Sequence, residues 1–132
     1  MAHARILVVE DEIELMRATS KCLQSAGHEV IPACDGMTAT KLAMDERPDL
    51  ILLDIALPAG DGHTVAERLR SNVKTMSIPI VYMTSHKSEE HRRKAKELGA
   101  VGYVVKPCRP ETLLGVVSQV IRKHSVASPA IA

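Results

Sequence analysis

The apolar positions of this chain follow two alternating rhythms. Short runs at 6–9, 30–33, 50–53, 80–83 and 102–105, rich in β-branched residues and leucine, read as strands. Continuous apolar runs of this kind suit strands covered on both faces of a parallel sheet. Between them the apolar spacing opens to three and four. Leu15, Met16, Thr19, Cys22, Leu23 and Ala26 make one helical stripe, stopped by Gly27, and residues 37–46 make a second, closed by Arg47 and Pro48. Val65, Ala66 and Leu69 mark a third helix after the turn-rich stretch 58–62. A mixed-charge helix at about 88–98 stops at Gly99. The last helix spans 111–124, with Leu113, Leu114, Val117, Val120 and Ile121 on one face and Pro110 near its first turn. Residues 1–124 thus read as one domain, and 125–132 as a flexible tail or the start of a linker.

Five strand and helix pairs in strict alternation predict an α/β domain whose parallel strands are joined by right-handed crossovers. Eight repeats would be needed to close a barrel, so five imply an open, doubly wound five-stranded sheet of order 2-1-3-4-5. In such sheets ligands bind beyond the carboxyl ends of the strands where the order reverses, here between the first and third.

Composition narrows the picture. The 132 residues fit a single domain, and with Phe and Trp absent and only Tyr82 and Tyr103 aromatic, aliphatic side chains must build the core. The apolar runs are too short to cross a membrane, so no membrane insertion is expected. The first five residues lead directly into a strand without the apolar stretch and cleavage site of a secretory signal, which makes a cytoplasmic location the expectation. Cys22, Cys34 and Cys108 lack metal-ligand or CxxC spacing and read as three reduced thiols packed as small apolar groups. The six histidines are scattered without ligand spacing. A formal net charge of +1 gives no reason to expect direct nucleic-acid binding.

The chemistry collects at the strand ends: Glu10 and Asp11 after the first, Asp54 after the third, Thr84 after the fourth, Lys106 after the fifth. Three carboxylates from neighbouring strands repel one another unless a cation sits among them, and hard oxygen ligands suit Mg²⁺. Asp54 can attack phosphorus as a carboxylate nucleophile, Lys106 can neutralise phosphoryl oxygens, and the Thr84 hydroxyl can donate to one of them. Each residue alone has an ordinary reading, as a turn former or a solvated lysine; their joint occurrence at adjacent strand ends favours a phosphoryl site. No GxxxxGK[ST] or GxGxxG run supports nucleotide binding.

The runs Val8-Val9-Glu10-Asp11-Glu12, Asp49-Leu50-Ile51-Leu52-Leu53-Asp54-Ile55-Ala56-Leu57-Pro58 with Asp61-Gly62, Met83-Thr84-Ser85 and Gly102-Tyr103-Val104-Val105-Lys106-Pro107 resemble the response regulator receiver family over about residues 5–124. The resemblance implies a flavodoxin-like (βα)5 fold. It implies Asp54 as phosphoacceptor, with Mg²⁺, or Mn²⁺ as a substitute, held by Glu10, Asp11, Asp54 and the Ala56 carbonyl. It further implies Thr84 and Lys106 on the phosphoryl group, Thr84 and Tyr103 as the switch pair, and a cis peptide bond before Pro107. A histidine kinase or histidine phosphotransfer protein would donate the phosphoryl group. A downstream protein target or missing output domain would read the face of Arg92, Arg93, Lys96 and Tyr103, although the pairs Glu89–Arg93 and Glu90–Lys94 make a merely solvated face an alternative. Such a chain is a signalling domain with at most slow self-catalysed phosphorylation and dephosphorylation. Ala56 stands where aspartate-nucleophile phosphatases of the haloacid dehalogenase type carry a second Asp, and Ala56 with His86 points to a long-lived phosphoform. Departures from the family pattern are Glu10 for a frequent Asp, Cys108 where a Phe often stands, and Arg109 as a poor helix cap. A phosphorylation-independent interaction module is the reading from a different class.

Overall fold

A computed structural model describes residues 3–55, 57, 62–84, 92, 93, 96, 97 and 99–127, with side chains to residue 124. Strands β1 (Arg5–Val9), β2 (Glu29–Ala33), β3 (Leu50–Asp54), β4 (Ile80–Thr84) and β5 (Gly102–Val105) form one parallel sheet in the order β2-β1-β3-β4-β5. The doubly wound order expected from the alternation is therefore the order found. Helices α1 (Ile13–Ser25), α2 (Gly36–Glu46), α3 (Gly62–Arg70) and α4 (Pro110–Ala127) cover the sheet. Residues 92, 93, 96 and 97 are helical, and the rest of the charged helix expected at 88–98 lies outside the described residues.

The continuous apolar runs are explained by two cores, one on each side of the sheet. Leu7, Val9, Ile51, Leu53, Ile80 and Tyr82 face α2 and α3, meeting Ala39, Ala43, Val65, Ala66 and Leu69. Their chain neighbours Ile6, Val8, Leu50, Leu52, Val81 and Met83 face the other way, toward Leu23 of α1 and Leu113, Val117 and Ile121 of α4. With side chains alternating every residue and both faces covered, no polar position is left in β3 until Asp54. Pro32 sits in β2, an edge strand, where its missing N–H leaves no interior ladder bond unmade.

Helix ends obey local chemistry. The Asp35 carboxylate accepts the Thr38 amide at 2.7 Å and caps α2, while Arg47 ends that helix in the left-handed region at φ 46°. Gly27, at φ 92°, follows α1. Two boundaries differ from the sequence reading. Helix α4 runs on through Ala127, so 125–127 are not loose: nothing in Ser125-Val126-Ala127 breaks a helix, whereas Pro129 disfavours helical backbone only at the residue before it. Gly62, grouped with the turn before α3, is instead the first residue of that helix. Cys34 also departs from expectation, being exposed rather than packed.

Two outcomes are expected from this architecture. A Cβ added at Gly62 would lie 2.4 Å from the Asp54 carbonyl oxygen and 2.6 Å from the Ile55 Cα, contacts that only a backbone shift can relieve. Gly62→Ala should therefore cost about 1–3 kcal/mol in denaturant unfolding, within the usual range for overpacking; an unchanged midpoint would show that this approach is not tight. At the opposite edge of the sheet the Ala4 amide donates to His28 Nδ1 at 3.2 Å, and burial, then the charge of His3, hold the His28 pKa below its ordinary value. The neutral ring is the form the fold favours. Its contribution should be complete above pH about 6.5, the unfolded value, and be lost as pH falls from there through the folded value. Wild type should thus lose more stability between pH 8 and 5.5 than His28→Gln, and equal losses would exclude this role.

Candidate functional site

Because all five strands are parallel, their carboxyl ends share one edge, and the polar residues that interrupt the apolar runs meet there. β1 delivers Glu10, whose amide donates to the Ala33 carbonyl of β2 at 3.0 Å. β3 delivers Asp54, paired in register with Met83 of β4, and the Ile55 amide donates to the Met83 carbonyl at 3.1 Å. Glu10 and Asp54 are buried, at 4% and 5% exposure, whereas Asp11 is exposed. Carboxylate oxygens of the three lie within 4.8 Å of one another. With Glu12, Leu15, Lys106 and Pro107 they line a cleft of about 410 Å³.

Lys106 reaches this edge from the end of β5. Its amide donates to the Thr84 carbonyl at 2.6 Å, and its ammonium lies 2.8 Å from Glu10 Oε1 and 3.4 Å from Asp54 Oδ2. The peptide bond from Lys106 to Pro107 is cis. Burial alone would lower the Lys106 pKa, but the Glu10 hydrogen bond and the Asp54 charge outweigh it, so the ammonium is held above its ordinary value. Burial pushes the Glu10 carboxyl up, the Lys106 bond pulls it back in part, and the Asp54 charge adds to the rise. The second Glu10 oxygen accepts the Glu12 amide at 3.2 Å, which orients the carboxylate at the entrance to α1.

Thr84 is fully buried at the end of β4. Tyr103 stands opposite Tyr82 and Val105 opposite Thr84, so by strand alternation Thr84 and the half-buried Tyr103 share a sheet face. The guanidinium of Arg92 lies 5.1 Å from the centroid of the Tyr103 ring. Arg92, Arg93 and Lys96 are exposed. Ala56, His86 and the pairs made by Glu89 and Glu90 lie outside the described residues.

The structure thus brings together Glu10, Asp11, Asp54 and Lys106, with Thr84 one strand away. Three relationships escaped the sequence. The grip of Lys106 on Glu10 depends on a longer acidic side chain reaching across the sheet edge, and only the substitution of Glu for Asp hinted at it. The stacking of Arg92 on Tyr103 had no sequence signal beyond the basic residues of that helix. His63, one of the scattered histidines, is buried with its Nδ1 3.4 Å from the Tyr82 hydroxyl.

Comparison with known proteins agrees with this geometry. Residues 6–118 match the family profile of the response regulator receiver domain. The chain is 36% identical over 128 residues to the alkaline phosphatase synthesis transcriptional regulatory protein PhoP of Bacillus subtilis; the match covers 97% of this chain and 52% of that protein, so the chain spans about half the length of such relatives. The chemotaxis protein CheY4 of Vibrio cholerae superposes with a TM-score of 0.85 at 36% identity, over 90% of this chain and 99% of that one. The receiver domain of a sensor histidine kinase from Pseudomonas aeruginosa, solved with a magnesium ion coordinated in its active site cleft, has a TM-score of 0.84 at 28% identity, over 92% and 99% of the two chains. On fold, sequence and the architecture of its acidic edge, this chain belongs to the response regulator receiver domain family.

Proposed function

We propose that residues 1–124 act as the phosphoacceptor receiver of a two-component phosphorelay, with Asp54 taking a phosphoryl group from a histidine kinase or histidine phosphotransfer protein. The observation that carries this reading is the buried Asp54 carboxylate within 4.8 Å of two further carboxylates and 3.4 Å from the Lys106 ammonium. An Asp54 oxygen attacks phosphorus, the bond from phosphorus to the donor breaks, and an acyl phosphate remains on the chain. Lys106 stands close enough to meet the charge that arrives with the phosphoryl oxygens, and the Thr84 hydroxyl is the donor that ends β4. Glu10, Asp11 and Asp54, with the Ala56 carbonyl, are the hard oxygen set that would hold Mg²⁺, or Mn²⁺ in its place, and the magnesium seen in the Pseudomonas receiver supports that assignment. Bound there, the ion would supply Lewis-acid neutralisation of the phosphoryl oxygens.

Output follows from the face that carries Tyr103. Drawing the Thr84 hydroxyl toward a phosphoryl oxygen opens space on the sheet face it shares with that ring, and an inward turn of the ring breaks the stack with Arg92. An exposed stack of this type is worth about 0.5–1 kcal/mol, small enough for both ring positions to be populated before phosphorylation. The face of Arg92, Arg93, Lys96 and Tyr103 would then present two surfaces to a downstream protein or to an output domain beyond residue 124. Among the described residues no helix is long and apolar enough to cross a membrane.

Incubation with a small phosphodonor such as phosphoramidate should add one phosphoryl group to the intact mass only when Mg²⁺ is present, and Asp54→Asn should abolish it. Equal modification of the Asp54→Asn protein would remove Asp54 from its role, and undiminished modification with chelator would remove the metal. Phosphorylation should also shift the amide resonances of Tyr103 and Arg92 in wild type and far less in Thr84→Ala. A full response in Thr84→Ala would break the proposed link between hydroxyl and ring.

A further inference from the structure

A second cavity, of about 250 Å³, lies against the acidic cleft and shares Lys106 and Pro107 with it. Its chemistry is the opposite. Cys22 on α1, Met83 on β4 and Cys108, two residues beyond Lys106, all line it, whereas no His, Asp or Glu does among the described residues. The same three sulfur side chains belong to one packed cluster: Met83 is buried in the core facing α1 and α4, and the partly buried Cys22 and Cys108 pack against that core. We propose that Cys22, Cys108 and Met83 form a binding site for a soft monovalent cation of the cuprous type.

The donor set selects the ion. Thiolate and thioether sulfur favour Cu⁺, which accepts two or three such donors, while Zn²⁺ prefers four Cys, His or carboxylate ligands, of which this cavity supplies two, and Mg²⁺ prefers oxygen. Binding replaces two S–H bonds by two Cu–S bonds, and both protons leave to the buffer: Cu⁺ and two thiols give an anionic copper dithiolate and two protons, with no change of oxidation state. The Cys22 proton is weakly engaged, its sulfur 3.8 Å from the Pro110 carbonyl oxygen. Lys106 and Arg109 line the same cavity and would offset part of the negative charge left on the complex, against the Glu111 charge that also acts on Cys22. Burial raises both thiol pKa values, and the neighbouring Cys108 raises that of Cys22 further. The third thiol, Cys34, is exposed on another part of the surface and has no place in the site.

The test is anaerobic titration of the full, reduced chain in a Cys34→Ser background with Cu⁺ supplied as its coloured bicinchoninate complex, alongside native mass spectrometry. One copper per chain is expected, retained in excess Mg²⁺ and in Asp54→Asn. Cys22→Ser, Cys22→Ala, Cys108→Ser and Cys108→Ala should each weaken binding by more than the roughly 10–100-fold typical of losing only an outer-shell partner. Met83→Leu, which keeps the volume, should weaken it less. Circular dichroism of each variant separates loss of the site from loss of the fold, and a single variant of each cysteine that folds suffices. Copper uptake that survives removal of both Cys22 and Cys108, that competes with Mg²⁺, or that gives way to a metal-free disulfide two hydrogens lighter overturns the proposal.

Discussion

Two buried carboxylates at the same sheet edge, Glu10 and Asp54, set the central constraint on this molecule. At an effective dielectric constant of about 20, like charges separated by 4.8 Å repel by roughly 3–4 kcal/mol, a large fraction of what holds a domain of this size together. Lys106 makes the arrangement tolerable, since one ammonium at 2.8 Å and 3.4 Å from the two carboxylates meets both charges at once. The ion pair is buried, so its own desolvation cancels much of the attraction, and the net effect is an edge that is satisfied without being strongly stabilised. That balance is what a site needs if it is to exchange its internal cation for an incoming metal and phosphoryl group.

The fold keeps those groups in place through backbone, not through the side chains that do the chemistry. Glu10 is fixed by its amide on Ala33, Ile55 by its amide on Met83 and Lys106 by its amide on Thr84, so each of the five strand ends is tied to a neighbour just where the apolar runs stop. Gly62 closes the arrangement from the far side. Its amide donates to the Ile55 carbonyl at 2.9 Å, and its lack of a side chain lets α3 begin directly against the end of β3. Below this edge both sheet faces are dense with aliphatic side chains, which leaves the strands themselves little room to shift.

What was legible in the sequence is what depends on period and position. The apolar runs indicate five strands because each is covered on both faces, and a polar residue at the end of such a run has nowhere to point except the carboxyl edge, which is where Glu10, Asp54, Thr84 and Lys106 lie. Relationships that depend on reach across the sheet were not legible. Whether Lys106 prefers Glu10 or Asp54 turns on less than an ångström and on one methylene in an acidic side chain. The burial of His63 beside Tyr82 was hidden for a related reason, since the helix that carries it presents an apolar stripe interrupted by a residue able to bond inward. The end of α4 was misplaced because a mixed stretch such as Ser125-Val126-Ala127 carries no stop signal of its own, and a helix already packed along Leu113, Val117 and Ile121 continues until something prevents it.

Two cavities of opposite character share Leu15 of α1 and one short segment. Oxygen donors line the first and sulfur donors the second, yet Lys106 and Pro107 belong to both walls. An anion formed in the sulfur cavity would attract the same ammonium that Glu10 and Asp54 hold. The backbone gives that competition a route outward. The Lys106 amide hangs from the Thr84 carbonyl, and Thr84 shares a sheet face with Tyr103, whose ring meets Arg92 on the exposed helix. Were Lys106 to serve a different anion, the bond from its amide to the Thr84 carbonyl is where the change would enter β4, and under the proposed output the stack between Tyr103 and a solvated arginine would be the weakest interaction beyond it.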